Sequence, residues 1–85
     1  MINNCIIPIN SDEEKETIYQ TLLNKPYLTT RYPITSLEYR KLKCFYIIDY
    51  VVRYALNIST VKEVFPGLKI INSCEILNLK ELYED

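Results

Sequence analysis

The chain contains no histidine and no tryptophan, and among its 85 residues there are one glycine, one alanine and one methionine. Without histidine the commonest general base and metal ligand is missing, and with it the Cys-His and Ser-His routes to an activated nucleophile. A single glycine, Gly67, excludes the glycine-rich phosphate loops, which need several positions free of a side chain. No cysteine cluster or spaced carboxylate loop offers a metal cage. The acid pairs Glu13/Glu14 and Glu84/Asp85 read as exposed helix-start and tail charges rather than a catalytic dyad. The expectation is a protein that is not an enzyme and takes no cofactor and no metal.

Cysteine is also sparse. Cys5, Cys44 and Cys74 are odd in number, far apart and without a C-x-x-C pair, and so read as small buried hydrophobes of a reduced intracellular protein. The N-terminus has no basic residue ahead of its short apolar run, and Pro8 interrupts that run, which argues against a secretory signal. No stretch of about eighteen apolar residues is present to span a membrane. The expected location is the cytoplasm, that of the host cell if the chain is viral.

What is present describes one globular domain over residues 1 to 85, with 48% hydrophobic and 25% charged residues and a net charge of −1. At this length apolar burial only just outweighs chain entropy, so a bound partner or a homo-oligomer would stabilise it. Twelve Ile, eight Tyr, seven Asn and seven Lys stand beside three Arg, one Gly and one Ala. Residues with A/T-rich codons dominate, which points to an AT-rich genome or to a virus or mobile element living in one.

The longest apolar-rich stretch is residues 36 to 58. Leu42, Phe45, Ile48, Val52 and Leu56 fall at steps of three and four, the stripe of a helix, and Thr35 with Glu38 has the order of a capping box. Asp49 and Arg53 then read as an i,i+4 ion pair on the helix's solvated edge. Against this, Cys44 to Val52 is rich in tyrosine and β-branched residues, the composition of a strand. No Gly or Pro divides the run, and its length favours one helix of roughly 34 Å.

Around this segment the spacing predicts a strand at Cys5 to Ile9, which Pro8 confines to an edge or a strand end. A helix from Asp12 to about Asn24 follows, opened by Ser11 with Glu14, given an apolar face by Ile18, Tyr19, Leu22 and Leu23, and ended by Pro26. Residues 25 to 35 form an extended connection. Thr60 with Glu63 opens a short helix that Pro66-Gly67 ends, Leu68 to Asn72 reads as a strand, and 75 to 85 fits either a hairpin strand or a terminal helix. The fold class is α+β: a short strand, two helices of which the second is long and central, a short helix, and a C-terminal strand or hairpin.

Charge is unevenly spread. Residues 25 to 43 carry Lys25, Arg31, Arg40, Lys41 and Lys43 against Glu38 alone, a local +4 that leaves −5 elsewhere. Tyr27, Tyr32, Tyr39, Thr29 and Thr30 are interleaved with these cations, the side-chain set used on phosphates, stacked bases or acidic protein surfaces. On the long-helix reading Arg40, Lys41 and Lys43 sit near a helix N-terminus, where the dipole disfavours cations. That small cost hints at a use. The plainer alternative is a solvated loop and first helical turn.

Residues 55 to 64, Ala-Leu-Asn-Ile-Ser-Thr-Val-Lys-Glu-Val, resemble the turn and recognition-helix start of helix-turn-helix proteins. They depart from that pattern in lacking the turn glycine, in offering only Lys62 as a base, and in being stopped by Pro66. The expected function is therefore binding to and modulation of another protein, as an inhibitor or accessory factor, with Tyr27 and Tyr32 as contact anchors, Arg31, Arg40 and Lys43 meeting carboxylates or phosphates, and Lys41 in the same partner-binding set. A nucleic-acid-binding regulator using the same patch is the alternative, and a structural subunit of a larger assembly is a third.

Overall fold

The computed structural model describes residues 2–30 and 36–72. Its elements run β1 (Cys5–Pro8), α1 (Asp12–Leu23), α2 (Ser36–Lys41), β2 (Cys44–Ile48), β3 (Val51–Ala55), α3 (Ile58–Val64) and β4 (Lys69–Ile70). The four strands form one mixed sheet in the order β3-β2-β1-β4, with β1 antiparallel to β2 and parallel to β4. The class is α+β, as expected.

Strand β1 is central, and its sequence explains why. Cys5, Ile6 and Ile7 are fully buried, so successive side chains enter cores on opposite faces of the sheet. Cys5 and Ile7 join Ile18, Leu22, Leu42, Phe45, Ile47 and Val52 beneath α1 and α2. Ile6 joins Cys44 and Val61 beneath α3. A strand buried on both faces reads as an unbroken apolar run. Each of the isoleucines contributes roughly 1.5–3 kcal/mol by leaving water.

Pro8 stands at the strand end, opposite Cys44. The Ile9 amide donates to the Lys43 carbonyl at 3.0 Å, so by alternation position 8 faces β4. There proline has no N–H to give. This is one reason that β4 pairs over only two residues, Lys69 and Ile70, before Ile71 donates to the Ile6 carbonyl at 2.8 Å.

Helix α1 begins as the capping pattern requires, with the Ser11 hydroxyl accepting from the Glu14 amide at 3.1 Å and Asp12, Glu13 and Glu14 in the first turn. It ends at Leu23, with the Asn24 amide donating to the Gln20 carbonyl. Ile18 and Leu22 are buried and Tyr19 packs against the core, whereas Leu23, expected on the apolar face, is exposed.

The long central helix is not formed. Residues 36 to 58 divide into α2, the β2–β3 hairpin and the start of α3. The strand composition of Cys44 to Val52 prevails because β1 needs a paired neighbour and both faces of β2 are covered: Phe45 and Ile47 point to one core, Cys44 and Tyr46 to the other. Leu42, Phe45 and Val52 are indeed buried, but Leu56, the last residue of the supposed stripe, is exposed.

The hairpin turn is Asp49-Tyr50, between the paired Ile48 and Val51, with φ of 50° and 63°. Two consecutive positive φ values are the type I′ geometry that matches strand twist, normally supplied by Asn-Gly. Asp49 is therefore a turn residue and not the partner of Arg53 along a helix. Arg53 lies on β3 opposite Tyr46.

Tyrosine at positive φ costs on the order of 1–2 kcal/mol. Neighbouring chain holds it there: the Asn4 and Asn3 side-chain oxygens accept from the Asp49 and Tyr50 amides at 3.3 and 2.8 Å. Thr29 bridges in parallel to Val51, donating to the Tyr50 carbonyl and accepting from the Val52 amide, both at 2.8 Å. The expected extended connection thus begins as a turn at Lys25, whose carbonyl accepts from Leu28, and continues as a cover on the β3 edge.

Helix α3 starts at Ile58, not Thr60, because Asn57 supplies the cap by accepting from the Ser59 amide at 2.8 Å. It stops at Val64 ahead of Pro66-Gly67, as expected. Residues 51 to 55 being a strand, no helix precedes this turn, and the helix-turn-helix resemblance has no structural counterpart. The expectations for residues 31 to 35 and 75 to 85, including the Thr35 capping box, fall outside the described residues.

Burial raises the Cys5 and Cys44 thiols to about 11. At pH 8 about one in a thousand of each is then thiolate, and both should resist alkylation in the native protein and react on denaturation, as mass spectrometry would record. At the turn, Tyr50→Gly should be more stable than Tyr50→Ala by about 1 kcal/mol in thermal melts, because only glycine adopts this φ without strain.

Candidate functional site

Helix α2 is six residues long, too short to persist without tertiary contacts. It is held from within. Lys15 of α1 is 3% exposed, and its ammonium donates to the Tyr39 carbonyl at 2.8 Å and the Arg40 carbonyl at 3.2 Å. These belong to the last turn of α2, whose carbonyls have no partner inside the helix. A cation on them also complements the negative end of the dipole. The same ammonium lies 5.2 Å from the centre of the Tyr39 ring and 3.4 Å from the Asp12 carboxylate. The Asp12 side chain is almost fully exposed, so that ion pair contributes little.

Aromatic and hydroxyl contacts complete the attachment. Tyr19 stacks on Phe45 of β2 with ring centres 5.6 Å apart and tilts against Tyr39 at 5.7 Å, linking sheet, α1 and α2. The Tyr39 hydroxyl donates to Glu16, and the Tyr54 hydroxyl donates to Glu38 at 3.2 Å. Burial, then the Glu16 carboxylate, pushes the Tyr39 hydroxyl well above the usual phenol range. In return that hydroxyl, followed by the Gln20 amide, draws the Glu16 carboxyl below its ordinary value. Burial and the Glu38 charge likewise raise Tyr54. These groups are tied into the fold and titrate far from neutrality.

The outer side of α2 is different. Leu37, Arg40 and Lys41 stand at i, i+3 and i+4 and are exposed, Leu37 to 63%. Lys43, exposed just beyond, donates its backbone amide to Ala55 at 3.1 Å, which brings it beside exposed Leu56. None of these three cations has a carboxylate partner among the described residues. Because α2 ends at Lys41, Arg40 and Lys41 occupy its last turn, where the dipole favours them. The supposed electrostatic cost of placing them at a helix start does not exist.

Between α1 and α2 lies an open cleft of about 390 Å³ lined by Asp12, Lys15, Tyr39 and Arg40. Asp12 of α1 borders one side and Arg40 of α2 the other. The surface carries both signs of charge.

Of the residues expected to contact a partner, Arg40 lines this cleft, and Lys41 and Lys43 are exposed within three positions of it along the chain. Tyr27 is elsewhere: its hydroxyl accepts from the Ile2 amide at 3.0 Å and its ring meets Tyr50 edge-on at 5.9 Å. Arg31 and Tyr32 lie outside the described residues. Sequence reasoning missed Lys15, a lysine on the inner face of an otherwise apolar stripe with Ile18 and Leu22. It also missed Asp12 and Glu16, read only as helix-start charges or not singled out.

No described helix is long and apolar enough to cross a membrane, and no described group of three or more acidic or cysteine residues is placed to hold a metal. The chain matches no protein-family model, no curated protein and no solved structure. Function is therefore argued from the geometry of the α1–α2 surface.

Replacing Lys15 with Met keeps the stem but leaves two carbonyls without their charged donor, a loss of about 1.5–3 kcal/mol. Lys15→Met should lower the melting temperature and speed trypsin cleavage after Arg40 and Lys41, read by mass spectrometry. Unchanged melting and cleavage would show that α2 is held by its other contacts alone.

Proposed function

We propose that the protein is a small non-catalytic interaction protein that binds another protein through the outer face of α2 and thereby modulates it. The observation that carries this reading is the mixed sign of the surface: Arg40, Lys41 and Lys43 present cations, and Asp12 lines the same cleft as Arg40. A polyanion laid along the cations would meet the carboxylates of α1, and like charges brought together across an interface cost several kcal/mol. A protein surface, which carries both signs and apolar groups, has no such conflict. Exposed Leu37, with Arg40 and Lys41 one turn on, supplies the apolar centre and charged rim of an interface. Arginine at such a position is suited to bidentate contact with a carboxylate.

The anchoring from within adds to this. A partner meeting side chains on a helix already fixed by Lys15 and Tyr39 loses less entropy than one that must order them. The composition favours an inhibitor or modulator carried by a virus or mobile element as the setting.

The test is an affinity pull-down from lysate of an AT-rich host, with and without nuclease. A protein retained in stoichiometric amount after nuclease is expected, and Arg40→Glu with Lys41→Glu should abolish its retention while the variant stays folded by circular dichroism, with only a small loss of melting temperature from acids at the helix end. Retention that disappears with nuclease would transfer the surface to nucleic-acid binding and end the protein-partner reading.

A further inference from the structure

The surface between α1 and α2 has a property that follows from its two signs. Asp12 stands on α1 and Arg40 on α2, and both line the cleft that separates the two helices, with Lys41 exposed next to Arg40. A two-fold interface is isologous: each contact between one residue and another is repeated with the roles exchanged. Half a turn about an axis running along the cleft therefore lays Arg40 of each copy on Asp12 of the other. Most surfaces are not their own complement. Asp12 and Arg40 meet this requirement because they flank one cleft instead of standing at opposite ends of the molecule.

We propose that a second copy of this chain docks on the α1–α2 surface, forming a symmetric dimer that closes the cleft. The inference rests on reading that surface as a binding surface, and it names the occupant when no other protein is present. Leu37, 63% exposed on the outer face of α2, lies with Arg40 and Lys41 and supplies apolar contact that charge alone lacks. Lys15 is spent on α2 carbonyls, so it holds α2 in place without competing for the partner's carboxylates. The small core gives the pairing a further consequence, since dimerisation adds stability that rises with protomer concentration. Any other protein bound to this face must first displace the second copy.

Sedimentation of the full chain over a wide concentration range, at low and at high salt, tests this. A concentration-dependent dimer that weakens with salt is expected. Arg40→Glu with Lys41→Glu, and separately Asp12→Lys, should each weaken self-association by about tenfold or more. Mixing the two variants should restore a heterodimer. Glu16 is left in place because it holds Tyr39. Should either charge variant melt early, Leu37→Asp is the substitute, with the same loss of dimer expected. A wild-type protein that remains monomeric throughout, or a dimer indifferent to these substitutions, overturns the proposal. If the wild type is monomeric while the pull-down still retains a protein through Arg40 and Lys41, the proposed function stands alone. If the dimer forms and the pull-down is empty, the reverse holds.

Discussion

The arrangement of the exposed surface depends on one buried ammonium. Lys15 projects from α1 among residues that otherwise face the core, and its cost of burial is met chiefly by two backbone carbonyls and a ring face. Those carbonyls are the ones α2 cannot satisfy by itself. The charge thus does for a six-residue helix what a glycine-based cap would do, in a chain with one glycine, and that one after α3. Without it the last turn of α2 would keep only the Leu42 amide on the Tyr39 carbonyl, at 3.4 Å, and Leu37, Arg40 and Lys41 would be less firmly held in a common direction.

How much of this could be read beforehand depended on whether a signal was local. Ser11 with Glu14 defined the start of α1, the apolar run around Ile6 defined β1, and Pro66-Gly67 defined the end of α3. Each is decided by residues within four positions of one another. The hairpin was misread for a non-local reason. A strand covered on both faces has apolar residues in succession, and such a run also satisfies helical spacing. The discriminating residue was Asp49, which tolerates positive φ, but the glycine that usually follows it is replaced by Tyr50, and the segments that stabilise the turn come from Asn3, Asn4 and Thr29.

The candidate surface was legible in part for the same reason. The basic character of residues 40 to 43 is a property of composition and survived a complete change of secondary structure around it. The carboxylates that make the surface two-signed lie on α1, remote in sequence, and only the packing of α1 beside α2 brings Asp12 to the same cleft as Arg40. Lys15 gave no warning because a lysine on a helix is ordinarily solvated; its burial follows from carbonyls more than twenty residues away.

The central position of β1 bears on the order in which the chain acquires structure. Cys5 pairs with Ile47 on one side and with Lys69 on the other, so β1, synthesised before the other described strands, has both neighbours encoded far downstream. The β2–β3 hairpin closes through two residues and can form within microseconds of its synthesis, whereas β1 must wait with Ile6 and Ile7 unpaired. During that interval a strand that ends fully buried over Cys5, Ile6 and Ile7 is open to association with other unfinished chains.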